Sequence, residues 1–68
     1  SEHLRTLARL EDAALTLLKT AAAQMHLSAR AFYRTIKVAR TIADLAAADT
    51  IATTHIAEAL QFREKRLA

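Results

Sequence analysis

The 68-residue chain contains neither glycine nor proline, and this double absence constrains its fold more than any other feature. Tight hairpin turns and phosphate-wrapping loops depend on glycine, and proline-rich linkers are excluded as well. Alanine supplies 17 positions and leucine 10, and both residues are strong helix formers. Phe, Tyr and Trp together supply three, which gives a β-sheet little to build on. Since cysteine is also absent, the composition predicts one small all-α domain of the cytosolic type, without disulfides.

Apolar residues recur at helical spacing along almost the whole chain. The pattern predicts a small bundle of three main helices, over about residues 11–25, 29–46 and 54–66, after a short N-terminal helical segment. The predicted core positions are, in order, Leu10, Ala14, Leu17, Leu18, Ala21, Met25, Phe32, Ile36, Ala39, Ala43, Ile51, Ile56, Ala59, Leu60 and Phe62.

The positive charge of the chain is concentrated in its middle. The formal net charge is +3, and the segment from Arg30 to Asp44 holds four cations against one carboxylate, while the rest is balanced. Arg30, Arg34 and Lys37 follow each other by four and three residues, so a helix places them on one exposed face. Ser28 precedes them as a good N-cap, and the backbone amides of the first turn can converge with Arg30 on one anion. These four residues form a candidate anion-binding face, and a merely solvated surface is the alternative.

No catalytic constellation is visible in these 68 residues, so we expect this fragment not to be an enzyme by itself. His55 and Glu58 have a spacing found in bundle metal sites, but a matching pair on a facing helix is absent, so no metal site is predicted. No apolar run approaches the ~20 residues of a membrane helix, and no membrane partner is expected. From the residues alone, a free-standing DNA-binding module and a helical protein-interaction module both stay open.

Three runs of residues resemble a known family. The runs Leu27–Arg34 (LSARAFYR) and Lys37–Leu45 (KVARTIADL), followed by Ile51–Arg63 (IATTHIAEALQFR), are similar to the C-terminal domain of magnesium-chelatase-like AAA+ ATPases. The resemblance covers about residues 10–63 and favours the competence-protein (ComM-type) branch. It implies that residues 1–68 are a single helical domain, the C-terminal fragment of a larger AAA+ protein whose Walker motifs lie upstream.

The resemblance also implies roles for particular residues and for the parent protein. Arg30, the arginine of the family's Ser-x-Arg motif, is expected to be the sensor-2 residue that reaches the γ-phosphate of ATP on a neighbouring subunit. The expected partners are the upstream ATPase core and the neighbours in a homo-oligomeric, hexameric ring. ATP and Mg²⁺ are expected in the parent, none bound to this fragment, and the location is expected to be cytoplasmic. The parent would be a DNA-remodelling motor of competence or recombination, with a metal-chelatase-type ATPase subunit as the alternative.

The chain departs from the family pattern at two connections. Ala46, Ala47 and Ala48 stand where a glycine usually follows the long helix, so that helix is expected to run on or to end raggedly. Ala52 stands where a Ser or Thr usually caps the last helix, so Thr53 or Thr54 is expected to take over that role.

Overall fold

Four helices make up the chain in its computed structural model, which describes the backbone of residues 2–67 and the side chains of residues 5–62. They are α1 (Glu2–Arg9), α2 (Asp12–Met25), α3 (Ala29–Leu45) and α4 (Thr53–Leu67). The all-α prediction is confirmed, and the bounds of the three main helices differ from the predicted ones by no more than one residue. Within residues 2–67, no helix combines the length and the apolar character needed to cross a lipid bilayer.

Helix α4 packs against both α3 and α2, and α1 packs against α3. The bundle measures 30 × 21 × 20 Å. Its core consists of aliphatic side chains and alanines, namely Leu10, Ala14, Leu18, Ile36, Ala39, Ala43, Ile51, Ile56 and Ala59. The alanines let the helix backbones approach closely, because their side chains occupy so little space between the axes.

The predicted core is confirmed at most positions, with differences at its edges. Leu17, Met25, Phe32 and Leu60 are only half-buried, because each lies at the border of its helix stripe. The prediction for Phe62 was wrong: its side chain is 56% exposed. At 100° per residue, Phe62 falls about 90° from the midpoint between the buried Ile56 and Ala59, and therefore outside the buried stripe of α4.

A short backbone bridge joins the two connections between helices. The amide of Ile51 donates to the carbonyl of Arg9 at 2.9 Å, and the amide of Glu11 donates to the carbonyl of Ile51 at 3.1 Å. These bonds pair Leu10 with Ile51 in parallel. Ile51 is thereby completely buried, as predicted, and the α1–α2 junction is tied to the α3–α4 connection.

Helix α3 ends in an ordered turn, so the expected ragged end was wrong. Ala47 adopts a left-handed backbone with φ 57°. The amide of Ala48 donates to the carbonyl of Ala43 at 2.9 Å, and the amide of Ala47 donates to that of Asp44 at 3.0 Å. This pair of bonds is the Schellman motif, formed with alanine at the position that glycine usually occupies.

Helix α4 begins one residue earlier than predicted, and neither threonine caps it. Thr53 is already its first helical residue, so Ala52 occupies the cap position. The amide of Ala52 donates instead to Nδ1 of His55 at 2.9 Å. His55 thus takes the part that a glutamate or glutamine plays in a capping box, where the third helical residue reaches back to the cap amide.

Candidate anion-binding site

The candidate site begins at the tight turn between α2 and α3. His26 ends α2 with a left-handed backbone (φ 53°), and the amide of Leu27 donates to the carbonyl of Ala22 at 3.0 Å. Ser28 then adopts an extended backbone, and its Oγ accepts from the amide of Ala31 at 3.1 Å. The predicted N-cap is therefore confirmed. Because Ser28 Oγ serves here as an acceptor, its hydroxyl hydrogen is still available to an anion.

Two amides at the start of α3 are open. The first turn of a helix has backbone N–H groups without intrahelical acceptors, and Ser28 satisfies only the one of Ala31. Within the described part of the chain, the amides of Ala29 and Arg30 have no acceptor. Both point out of the positive end of the α3 dipole, where negative charge is stabilised.

Arg30 is the second residue of α3, and its side chain is exposed. Among the residues whose side chains are described, no hydrogen bond or ion pair engages its guanidinium. Its planar fork of N–H donors suits an oxyanion such as phosphate, which it can bind through two parallel bonds. The geometry therefore combines an unpaired guanidinium, two open amides and a hydroxyl at one helix start.

Arg34 and Lys37 continue from Arg30 along the same exposed face of α3, as the spacing predicts. At 100° per residue the three cations fall within an arc of about 60°, and Arg34 stands about 6 Å further along the axis than Arg30. Neither Arg34 nor Lys37 has a side-chain partner within residues 5–62. The buried residues of α3, including Ile36 and Ala39, lie on the opposite side of the helix. The row is therefore a positive strip on an otherwise packed helix.

Beyond Lys37, the exposed face of α3 no longer carries only positive charge. Thr41 turns its hydroxyl back onto the carbonyl of Lys37 at 3.1 Å, and Asp44 follows one turn later. Asp44 Oδ1 accepts from Nη2 of Arg9 at 2.9 Å, and its Oδ2 lies 4.0 Å from Nε of Arg40. Arg40 and Asp44 are one helical turn apart on α3, whereas Arg9 lies 35 residues from Asp44 in the sequence and meets it only through the fold.

His55 and Glu58 gain no third ligand residue among the described side chains. Nδ1 of His55 is occupied by the amide of Ala52, and Glu58 is exposed. Over the described side chains, no three His, Cys, Asp or Glu residues stand close enough to hold a metal ion together.

Comparison with known proteins places the chain in a family. Residues 1–63 match the family described as magnesium chelatase, subunit ChlI C-terminal. Over 63 residues, 93% of the chain, it is 40% identical to competence protein ComM of Haemophilus influenzae and 38% identical to protein YifB of Escherichia coli. It spans only 12% of the length of each of these relatives. No solved structure matches the chain. Because the family model matches residues 1–63 of the 68, the chain belongs to the family of magnesium chelatase ChlI C-terminal domains.

Proposed function

We propose that this chain is the helical lid of an AAA+ ATPase and that Arg30 contacts the γ-phosphate of ATP held by a neighbouring subunit. The observation that carries the proposal is the state of Arg30: an exposed guanidinium in the first turn of a capped helix, without a partner among the described residues. Membership of a family of magnesium chelatase C-terminal domains supports the ATPase assignment.

The residues at the start of α3 fit a phosphate group. Arg30 supplies positive charge and two donors in a plane, and the amides of Ala29 and Arg30 supply further donors at a helix N-terminus. Only ATP presents a γ-phosphate, so a cation at this place distinguishes ATP from ADP. The Mg²⁺ that accompanies ATP would be held by carboxylates and hydroxyls of the parent and not by this row of cations.

The proposal extends to the assembly and the task of the parent. In a hexameric ring of identical subunits, the lid of one subunit would lie beside the nucleotide bound by the next. The relative from Haemophilus influenzae is named a competence protein, which supports a motor that remodels DNA. A subunit that drives metal insertion, as in magnesium chelatase, is the competing assignment, and stimulation of ATP hydrolysis by DNA separates the two.

We expect Arg30→Ala in the full-length protein to lower ATP hydrolysis by about 100-fold, as loss of one charge-stabilising donor commonly does. The rate is measured with and without duplex DNA, because a DNA motor is stimulated and a chelatase subunit is not. Arg5→Ala is the matched control: it removes an exposed arginine that has no side-chain partner among residues 5–62, and it should leave the rate unchanged. Wild-type hydrolysis by Arg30→Ala would contradict the sensor role.

Mixed rings test whether Arg30 acts across the subunit interface. Arg30→Ala subunits are combined with subunits whose own ATP site is inactivated and whose Arg30 is intact. If the arginine serves the neighbouring site, some interfaces in the mixed ring contain both working parts and hydrolysis returns. If it serves its own site, every subunit carries a defect and no activity returns.

A further inference from the structure

The side chain of Arg9 joins α1 to the C-terminal end of α3. Its Nη2 donates to Asp44 Oδ1 at 2.9 Å and to the carbonyl of Ala48 at 3.3 Å. Its Nε donates to the carbonyl of Asp49 at 3.2 Å. These acceptors belong to the last turn of α3 and the turn after it, where a helix exposes unpaired carbonyls and attracts cations. The guanidinium of Arg9 therefore donates to one carboxylate and two backbone carbonyls at the C-terminal end of α3 and in the turn after it.

A second contact ties the same two helices about one turn away. Nη1 of Arg40 lies 3.3 Å from Oγ1 of Thr6, and Thr6 is only 5% exposed. The Thr6–Arg40 and Arg9–Asp44 contacts occur in the same order along α1 and α3. Two contacts at different heights fix the angle between two helices, whereas a single contact allows rotation about it.

The angle of α3 decides where Arg30 lies. Arg30 and Asp44 are near opposite ends of the helix, about 21 Å apart along its axis at 1.5 Å per residue. A rotation of α3 by about 10° around its Asp44 end moves the start of the helix by about 4 Å. Hydrogen bonds require donor–acceptor distances of about 2.7–3.2 Å, so a shift of this size breaks a bond between Arg30 and a fixed phosphate.

From this geometry we propose that Arg9 and Asp44 are positioning residues, which lock α3 to α1 and so hold Arg30 in register with the neighbouring nucleotide. This inference rests on the proposed function of Arg30. In a parent protein whose C-terminal domain this is, the ATPase core joins ahead of α1. The Arg9–Asp44 contact is then one of the contacts through which the orientation of the core is passed to α3.

The test uses the full-length protein with Arg9→Gln and Asp44→Asn. Arg9→Gln removes the charge and shortens the side chain, so it cannot bridge the three acceptors, and the rate constant of ATP hydrolysis is expected to fall at least tenfold. Asp44→Asn removes the charge at nearly constant size but keeps an oxygen that can accept from Arg9, so a smaller fall is expected. Arg5→Gln makes the same change elsewhere on α1 and should hydrolyse ATP at the wild-type rate. Arg9→Lys keeps the charge but cannot bridge all three acceptors, so an intermediate rate is expected. Helical circular dichroism at the assay temperature verifies that each variant is folded.

A double variant separates positioning from a general structural effect. If Arg9 acts through Arg30, Arg9→Gln combined with Arg30→Ala hydrolyses ATP no more slowly than Arg30→Ala alone. A combined loss equal to the product of the single losses overturns the inference, as does wild-type hydrolysis by Arg9→Gln when Arg30→Ala is impaired.

Failure of the proposed function gives a different result, namely wild-type hydrolysis by Arg30→Ala itself. The lock between α1 and α3 is then decided by distances between spin labels on the two helices. A broader distribution of label-to-label distances in Arg9→Gln than in Arg5→Gln supports the lock, and equal distributions overturn it.

Discussion

Ala47 shows what a single residue costs this fold. Its left-handed backbone (φ 57°) brings the Cβ close to the following carbonyl, which costs about 1–2 kcal/mol in residues other than glycine. The surrounding bonds from Ala47 and Ala48 to the last carbonyls of α3 hold it there. The chain contains no glycine that could relieve the strain, so part of its folding free energy is spent at this turn.

We predict that Ala47→Gly stabilises the chain by about 0.5–1 kcal/mol, because relief of the Cβ contact outweighs the greater freedom of glycine in the unfolded state. In a domain of this size the melting temperature rises by about 3–6 °C, which thermal denaturation measures. Ala46→Gly is the control. Ala46 has φ −84°, so the same change there relieves no strain and should lower the melting temperature. A fall in both variants would contradict the strain at Ala47.

The start of α4 shows how one element adapts when its usual cap is absent. Ala52 has no side chain that can cap, and His55 instead accepts the amide of Ala52 through Nδ1. This bond requires the tautomer with its hydrogen on Nε2. The start of the helix is thereby fixed next to Ile51, which the backbone bridge holds in the core.

We predict that His55→Ala lowers the free energy of unfolding by about 1 kcal/mol, since a backbone amide loses its acceptor. His55→Gln should retain most of the stability, because its side-chain carbonyl can accept the same amide as in a capping box. The midpoint of urea denaturation reports the stability of both variants. An equal loss in the two would indicate that the imidazole stabilises α4 by packing and not as an acceptor.

Helix bounds were predictable from the sequence because the signals for them are local. The spacing of Ala14, Leu18 and Ala21 defines the buried stripe of α2. Ser28 indicates the start of α3, because its side chain accepts a hydrogen bond from an amide three residues later. The exposed row on α3 was predictable for the same reason. The left-handed end of α3 could not be predicted, because alanine disfavours that conformation and only the packing of the connection imposes it.

Contacts between distant residues could not be predicted from one sequence. Nothing in the sequence distinguishes Arg9 from other arginines at helix ends. It contacts Asp44 because the Leu10–Ile51 bridge brings the end of α3 beside it. The same holds for the reach of Arg40 to Thr6. The function proposed for Arg30 rests on the family resemblance, whereas its exposure and its place behind a cap were predictable from the residues themselves.

At the scale of the whole molecule, stability depends on a very small core. Leu18, Ile51 and Ile56 are the largest fully buried side chains of the described residues, and alanines fill much of the rest. At roughly 0.05–0.15 kcal/mol per residue, a domain of this length is stable by about 3–10 kcal/mol. One large side chain therefore accounts for a substantial share of the total.

We predict that Leu18→Ala destabilises the chain by about 2–5 kcal/mol through lost burial and a residual cavity. Leu45→Ala is the same substitution at a side chain that is 83% exposed, and it should change stability by less than about 0.5 kcal/mol. Chemical denaturation of the two variants gives the comparison. A cooperative transition of Leu18→Ala at the wild-type midpoint would show that the bundle does not depend on this contact.

The alanines of the core limit how this sequence can vary. Ala14, Ala39 and Ala43 have no exposed surface, so a larger side chain at any of them has to be accommodated inside the packed core. A larger residue there forces the helices apart at a cost of about 1–3 kcal/mol, a large share of what so small a domain has. A smaller residue is unfavourable at these positions as well, because glycine destabilises a helix interior. Freedom to diversify is therefore confined to the outer faces of the helices, where a substitution leaves the interior intact.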